Sequence, residues 1–194
     1  KIKEFVKLFD IDDITTNIWK SITQRLIEEI QQNQQEESAR YKKSQMKIFS
    51  INQNDPFNGI LKHLLHESNG NIENKINITA SEHRGDHIPQ STVLYEDDSK
   101  WYQSNNIENS FICFDFKEHQ IIPTSYTIKS YHGDGNCYHP KSWVIEVSND
   151  GSNWEIIDER NNNTDLRGSN KIQTFTIQKQ NKQKYQYFRI RQTE

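Results

Sequence analysis

Residues able to do chemistry gather in two short stretches. Tyr131-His132-Gly133-Asp134-Gly135-Asn136-Cys137-Tyr138-His139-Pro140 brings two imidazoles and a thiol together. Zinc takes four ligands of this softness, but the spacing here matches no common zinc pattern. No metal is therefore assigned. The Asn, Tyr and His mix suits hydrogen bonding to a sugar or a peptide instead. The second stretch is His83-Arg84-Gly85-Asp86-His87. Its central tripeptide matches an integrin-recognition signal, and chance accounts for it. Residues 81–90 offer only Ile88 as a large apolar side chain, too little for insertion into lipid. The candidate ligand-binding residues are His83, Arg84, Asp86, His87, His132, Asn136, Tyr138 and His139.

Other polar groups read as solvated surface. His63 and His66 sit three apart on one helical face, flanking Leu64 and Leu65. Glu96-Asp97-Asp98 has the oxygen chemistry of a calcium loop, yet an acidic turn is the simpler account. No Ser or Cys nucleophile has an evident base beside it, and no motif pairs two carboxylates or builds a phosphate loop. No catalytic residue, enzyme activity or cofactor is expected.

These loops must be carried by strands. Trp143, Ile145 and Val147 alternate with Val144, Glu146 and Ser148, the period of a strand with one buried face. Asn149-Asp150-Gly151-Ser152 forces a turn, and Trp154, Ile156 and Ile157 start the return. A hairpin alone is marginal in water and implies a larger sheet. Similar alternation predicts strands at 76–81, 101–104, 110–116, 125–131, 172–178 and 185–191, with a further short one at 46–51. Many short strands between polar turns indicate a sandwich or barrel. Within it, the all-apolar run Phe111-Ile112-Cys113-Phe114 should form a central strand.

The start of the chain reads as helix. Ile2, Phe5, Val6 and Phe9 share one face. Asp12 and Asp13 offer an N-cap to a second helix bearing Ile18, Trp19, Ile22, Leu26 and Ile30. The two should pack as a helical hairpin over 1–30. Residues 31–45 are polar, a linker or a solvated helical extension. Asp55-Pro56 should cap a third helix, with Pro at its first position, a buried stripe of Ile60, Leu61, Leu64 and Leu65, and an end at Asn69-Gly70.

Several of these segments resemble the factor V/VIII type C family, also called discoidin domains. The resemblance rests on Asn77-Ile78-Thr79-Ala80-Ser81, Trp101 with Ser104, Phe114-Asp115-Phe116, Ser125-Tyr126, the Trp143 hairpin and Tyr187-Phe188-Arg189-Ile190-Arg191. It implies a mainly β fold, a jelly-roll sandwich of the galactose-binding type over 46–194, with a small N-terminal helical appendage. It also implies ligand binding by the sandwich-end loops, which include both candidate stretches, without chemistry. Relatives carry one more strand after the Tyr187–Arg191 segment, so the resemblance implies an open sheet edge here. Upstream, Phe5-Val6, Ile11-Asp12-Asp13-Ile14 and Trp19-Lys20-Ser21-Ile22 are similar to the last helices of a BACK-type domain, found in BTB-BACK-discoidin adaptors.

Composition narrows the partners. The chain has 194 residues, 32% hydrophobic and 11% aromatic, enough for one β domain with long polar loops. A net charge of -3 argues against nucleic acid as a partner, and no apolar run approaches a membrane span. No leader is visible before the amphipathic start. Cys113 and Cys137 are the only cysteines; neither lies where secreted relatives place a disulfide between the domain ends, so both are expected as free thiols. The sequons at Asn77 and Asn162 are common by chance in so Asn-rich a chain. Together these features lead to the expectation of a recognition or scaffolding module in an intracellular assembly, cytoplasmic or cytoskeletal. It would bind a protein partner through loops, edge strands and the N-terminal helices, with self-association through an upstream domain. The alternative is a carbohydrate-binding, lectin-like module.

Overall fold

The computed structural model describes residues 16–44, 46–105, 107–133, 139–180 and 182–194. The chain divides into two units, parting between Ile48 and Phe49. The first expected helix and its Asp12-Asp13 cap lie outside the described residues. Helix α1 runs Thr16–Ser44 without a break, so the polar stretch up to residue 44 continues the helix. Trp19, Ile22 and Leu26 are half-buried, while Ile18, Ile27 and Ile30 are exposed. At 1.5 Å per residue its length is about 43 Å.

The expected strand at 46–51 does not form. The segment alternates, but among the described residues no neighbouring strand supplies the ladder that alternation needs, and Ile48 and Ile51 are left 76% and 58% exposed. Helix α2 spans Ile60–Glu67 and starts after Gly59, later than Asp55-Pro56 predicts. The Asp55 carboxylate is taken by Lys62 Nζ at 2.9 Å, and backbone turns at Asp55, Asn58 and Gly59 fill the gap. The end is as the sequence implies: Asn69 and Gly70 adopt φ of 52° and 87°, and the Gly70 N–H bonds to the Leu65 carbonyl at 2.9 Å.

Among the described residues seven strands follow: β1 Asn77–Ala80, β2 Phe111–Asp115, β3 Ser125–Lys129, β4 Trp143–Ser148, β5 Glu155–Arg160, β6 Ile172–Thr176 and β7 Tyr187–Gln192. Five pair antiparallel in the order β1-β2-β7-β4-β5, and β3 pairs β6 in a second sheet. The fold is a mainly β sandwich of antiparallel sheets, as expected. Residues 101–104 are not a strand, however; they run as loop beside the 84–87 segment, with Arg84 N–H to Gln103 O at 2.9 Å and Gln103 N–H to His87 O at 3.3 Å.

The open edge expected at the last strand is not there. β7 lies between β2 and β4, and the five-stranded sheet ends on β1 and β5. Along β5, Lys179 N–H bonds to Ile157 O and Gln178 Nε2 to Glu159 O, so a following segment covers that border.

The core fills the space between the sheets. Ile78, Ile112, Phe114, Trp143, Ile145, Val147, Ile157, Phe175, Ile177 and Phe188 are all buried, and the segment before β1 adds Leu64, Ile72 and Ile76. Trp143 is fully enclosed, edge-on to Phe175 at 5.2 Å. The two tryptophans of the hairpin part company. Alternation predicts Trp154 inside with Trp143, but it is half-buried on the opposite face of the large sheet. There the Arg189 guanidinium lies 3.8 Å from its ring centroid. Glu146 on that face binds Arg189 and Arg191, at 2.7 and 2.8 Å. Cys113 is a buried free thiol on the same face; Cys137 lies outside the described residues.

Candidate functional site

Strand register dictates which loops meet. Ala80 pairs with Ile112, Phe111 with Arg191, Trp143 with both Gln192 and Arg160, and Lys129 with Ile172. The ends of β1, β3, β5 and β7 and the starts of β2, β4 and β6 therefore lie at one pole. The described parts of the loops joining β1 to β2, β3 to β4 and β5 to β6 start and end there.

At this pole four rings come together. His87 stacks on Trp101 with centroids 4.0 Å apart and planes 24° from parallel. Tyr131 tilts against Trp101 at 5.0 Å, and His132 meets it edge-on at 5.3 Å. Tyr131 and His132 are 4.4 Å from each other. All four are half-buried, each with part of its surface open to solvent. The two stretches singled out in the sequence thus converge, His87 from one and His132 from the other, on a residue that belongs to neither.

Backbone contacts hold the cluster in place. Ser130 N–H bonds to Lys171 O at 2.8 Å and Asn170 N–H to Tyr131 O at 3.1 Å, extending the β3–β6 ladder outward. Ser169 Oγ donates to the His132 carbonyl, and Ser130 Oγ to Gly168 O at 2.7 Å. On the other flank, the Tyr102 hydroxyl donates to Glu82 O at 3.1 Å, and Asn105 Nδ2 to the Glu82 carboxylate at 2.7 Å. Burial pushes the Tyr102 hydroxyl up to about 12, so it stays a donor.

In the loop that carries His87, the side chains of His83, Arg84 and Asp86 are all exposed. His83 Nδ1 contacts Gly85 O at 2.9 Å. Among the described residues Arg84 has no ion pair, leaving its guanidinium available. His139 is half-buried; its Nδ1 is enclosed and has no hydrogen-bond partner among the described residues. Asn136 and Tyr138 lie outside the described residues, as does Cys137 between them.

The remaining candidates have structural partners. The Asp98 carboxyl is held below its ordinary value by a hydrogen bond and charge from Lys129, 2.8 Å away, with His132 adding to the effect. Asp97 bonds Ser99, and Glu96 lies 3.8 Å from Lys62, so the three acids face different partners rather than one cation. His63 Nε2 contacts Glu67 at 3.0 Å, and its ring lies 5.5 Å from Phe49. No group of three metal-ligating side chains converges among the described residues.

Trp101 and Tyr131 are the site residues that the sequence does not reveal. Alternation assigns Trp101 to a strand, where an aromatic ring belongs in the core. The signal against that assignment is its setting: after Tyr102 the segment runs on through Gln103, Ser104 and Asn105, polar on every position.

The strands that carry this pole are covered by a known family. The sequence model of the F5/8 type C domain matches residues 77–194, from β1 through β7; the match does not reach α1 or α2. No curated protein matches. Among solved structures, CpGH89CBM32-5 from Clostridium perfringens, in complex with GalNAc-β-1,3-galactose, is 19% identical over 61% of this chain and 84% of its own, with a TM-score of 0.47. The chitosan-binding module 1 derived from a chitosanase/glucanase of Paenibacillus sp. IK-5 is 18% identical over 62% of this chain and 83% of its own, with a TM-score of 0.44. The C-terminal domain of a chitobiase from Bacteroides fragilis is 15% identical over 62% and 82%, with a TM-score of 0.45.

Proposed function

Since this chain belongs to the F5/8 type C domain family, we propose that it is a non-catalytic binding module whose ligand is a carbohydrate, held at the loop pole around Trp101. One observation carries the reading: four half-exposed rings packed at 4.0–5.3 Å, in a loop cluster that also carries the exposed Arg84. A pyranose presents an apolar C–H face and a fringe of hydroxyls. Aromatic rings bury the first, because their faces are apolar and polarisable. Arg84, His83, Asp86 and the open edges of the imidazoles supply donors and acceptors for the second. A few placed polar groups beside an apolar wall are the common design of small-ligand sites.

The ring cluster favours the lectin-like alternative over the protein scaffold expected from the helical start. The scaffold reading keeps one supporting observation, the exposed Ile18, Ile27 and Ile30 of α1. A glycan array followed by calorimetry separates the two. The expected result is retention of a saccharide, lost in Trp101→Ala and weakened in Arg84→Ala while the melting temperature holds. Failure to retain any glycan, or unchanged binding by Trp101→Ala, overturns the proposal.

A further inference from the structure

The loop between β3 and β4 carries a constraint that sets how the rings sit. We infer that Gly133 is the positioning residue of the saccharide site, its bare α-carbon being the seat on which the Tyr131 ring lies. This rests on the reading of the ring cluster as the ligand site. A Cβ at Gly133 would fall against Tyr131 Cε1, 2.9 Å from its Cζ and 3.1 Å from its Cδ1. Real Cβ atoms essentially never come within 3.0 Å of another heavy atom, so one of the two residues must move. The backbone of Tyr131 is tied to Asn170 at 3.1 Å, and the carbonyl of His132 is bonded by Ser169. What yields is the ring.

Movement of that ring has a defined consequence. Tyr131 touches both Trp101 and His132 and is the shared neighbour of the two. Displaced, it leaves one flank of the indole bare and swings into the space a ligand would use. The nearest atoms a Cβ at Gly133 would meet are all of the Tyr131 ring, which is half-buried at the pole and stands outside the buried core cluster, so the effect falls on the site. A positioning glycine therefore separates binding from folding, which a merely structural glycine does not.

The experiment is a double-mutant cycle on Gly133→Ala and Tyr131→Ala in the full chain, read by saccharide affinity, melting temperature and the Trp101 indole N–H resonance. Gly133→Ala should weaken binding about three- to tenfold, the worth of one aromatic contact. It should shift the Trp101 resonance and leave the melting temperature unchanged. In the Tyr131→Ala background the same substitution should do nothing further, since no ring remains to displace. Losses that simply add, wild-type affinity in Gly133→Ala, or a variant that fails to fold would each overturn the assignment. If the wild-type chain binds no saccharide, the functional proposal fails by itself. The resonance then decides: a shift in Gly133→Ala that vanishes in the Tyr131→Ala background upholds the positioning role, and its persistence there refutes it.

Discussion

The Trp143 indole N–H donates to the Tyr126 hydroxyl at 2.9 Å, bridging the two sheets from β4 to β3. The hydroxyl in turn donates to Asp158 at 2.6 Å, and Asp158 accepts two bonds from Arg160, each 2.9 Å. Burial, then the Asp158 bond, push the Tyr126 hydroxyl far above its ordinary range, so it remains protonated. Every member of this enclosed polar chain has its partner, which a buried network requires if it is not to destabilise the fold.

Trp143→Ala should therefore cost about 3–5 kcal/mol, a large ring lost from a sealed core. Tyr126→Phe keeps the volume but strands the buried indole N–H, while Asp158 keeps its bonds from Arg160, costing about 1–3 kcal/mol. Urea denaturation of both variants measures the difference, and a Tyr126→Phe loss equal to that of Trp143→Ala would show the hydrogen bonds, not packing, to dominate.

Acid should unfold the protein through carboxylates whose partners hold them down. For Glu146, burial acts upward, but hydrogen bonds and charge from Arg191 and Arg189 outweigh it and leave it below the ordinary 4.5. Asp150 is depressed by backbone and side-chain bonds from Asn153 and Ser152 in the hairpin turn. A depressed folded-state value means that stability is present above the unfolded value and lost as pH falls through the folded one. Melting temperature should thus be level above about pH 5 and fall below about pH 4. In Glu146→Gln the protein should be less stable at pH 7 and its acid slope shallower.

The folding unit begins well before the family match. Leu64, Ile72 and Ile76 sit in the core, and the Pro56 carbonyl accepts a bond from Thr127 at 2.8 Å. A chain starting at Asn77 should show no cooperative thermal transition, and one starting at Phe49 should. Circular dichroism on the two fragments decides it.

Cys113 should resist alkylation in the native state. Burial raises its thiol to about 11, so almost no thiolate exists near neutrality. Mass spectrometry after iodoacetamide at pH 8 should find Cys113 labelled only when denaturant is added.

The contrast between strand and site in legibility has a physical cause. β4 occupies the residues that alternation marks out, because Trp143, Ile145 and Val147 have one face to bury and neighbours to pair with. The 46–51 and 101–104 stretches alternate as well, yet alternation describes side chains and says nothing of the strand that must lie alongside. Trp154 shows the same limit in reverse: its position is evident, but which side of the sheet it takes depends on the bulge between Ile145 and Glu146 and on Arg189 standing ready to cover it. The ring cluster is half visible, since polar loops carrying histidines mark a surface, whereas their meeting at Trp101 is a product of register.

The central place of β7 also orders events in time. β1 and β2 pair with each other, as do β4 and β5, but in the described sheet only β7 joins these two halves. A ribosome delivers β7 after the other six strands, so until residues 187–192 emerge the nascent chain holds two separate hairpin-like halves, each with an unzipped inner border. The longest-range pairing of the sheet, β2 with β7, is made together with that of β4 in a single late step that inserts one strand between two waiting ones. Such closure is slow and leaves sticky borders exposed meanwhile. The newborn chain's need for chaperones is thereby concentrated in the interval before β7 arrives.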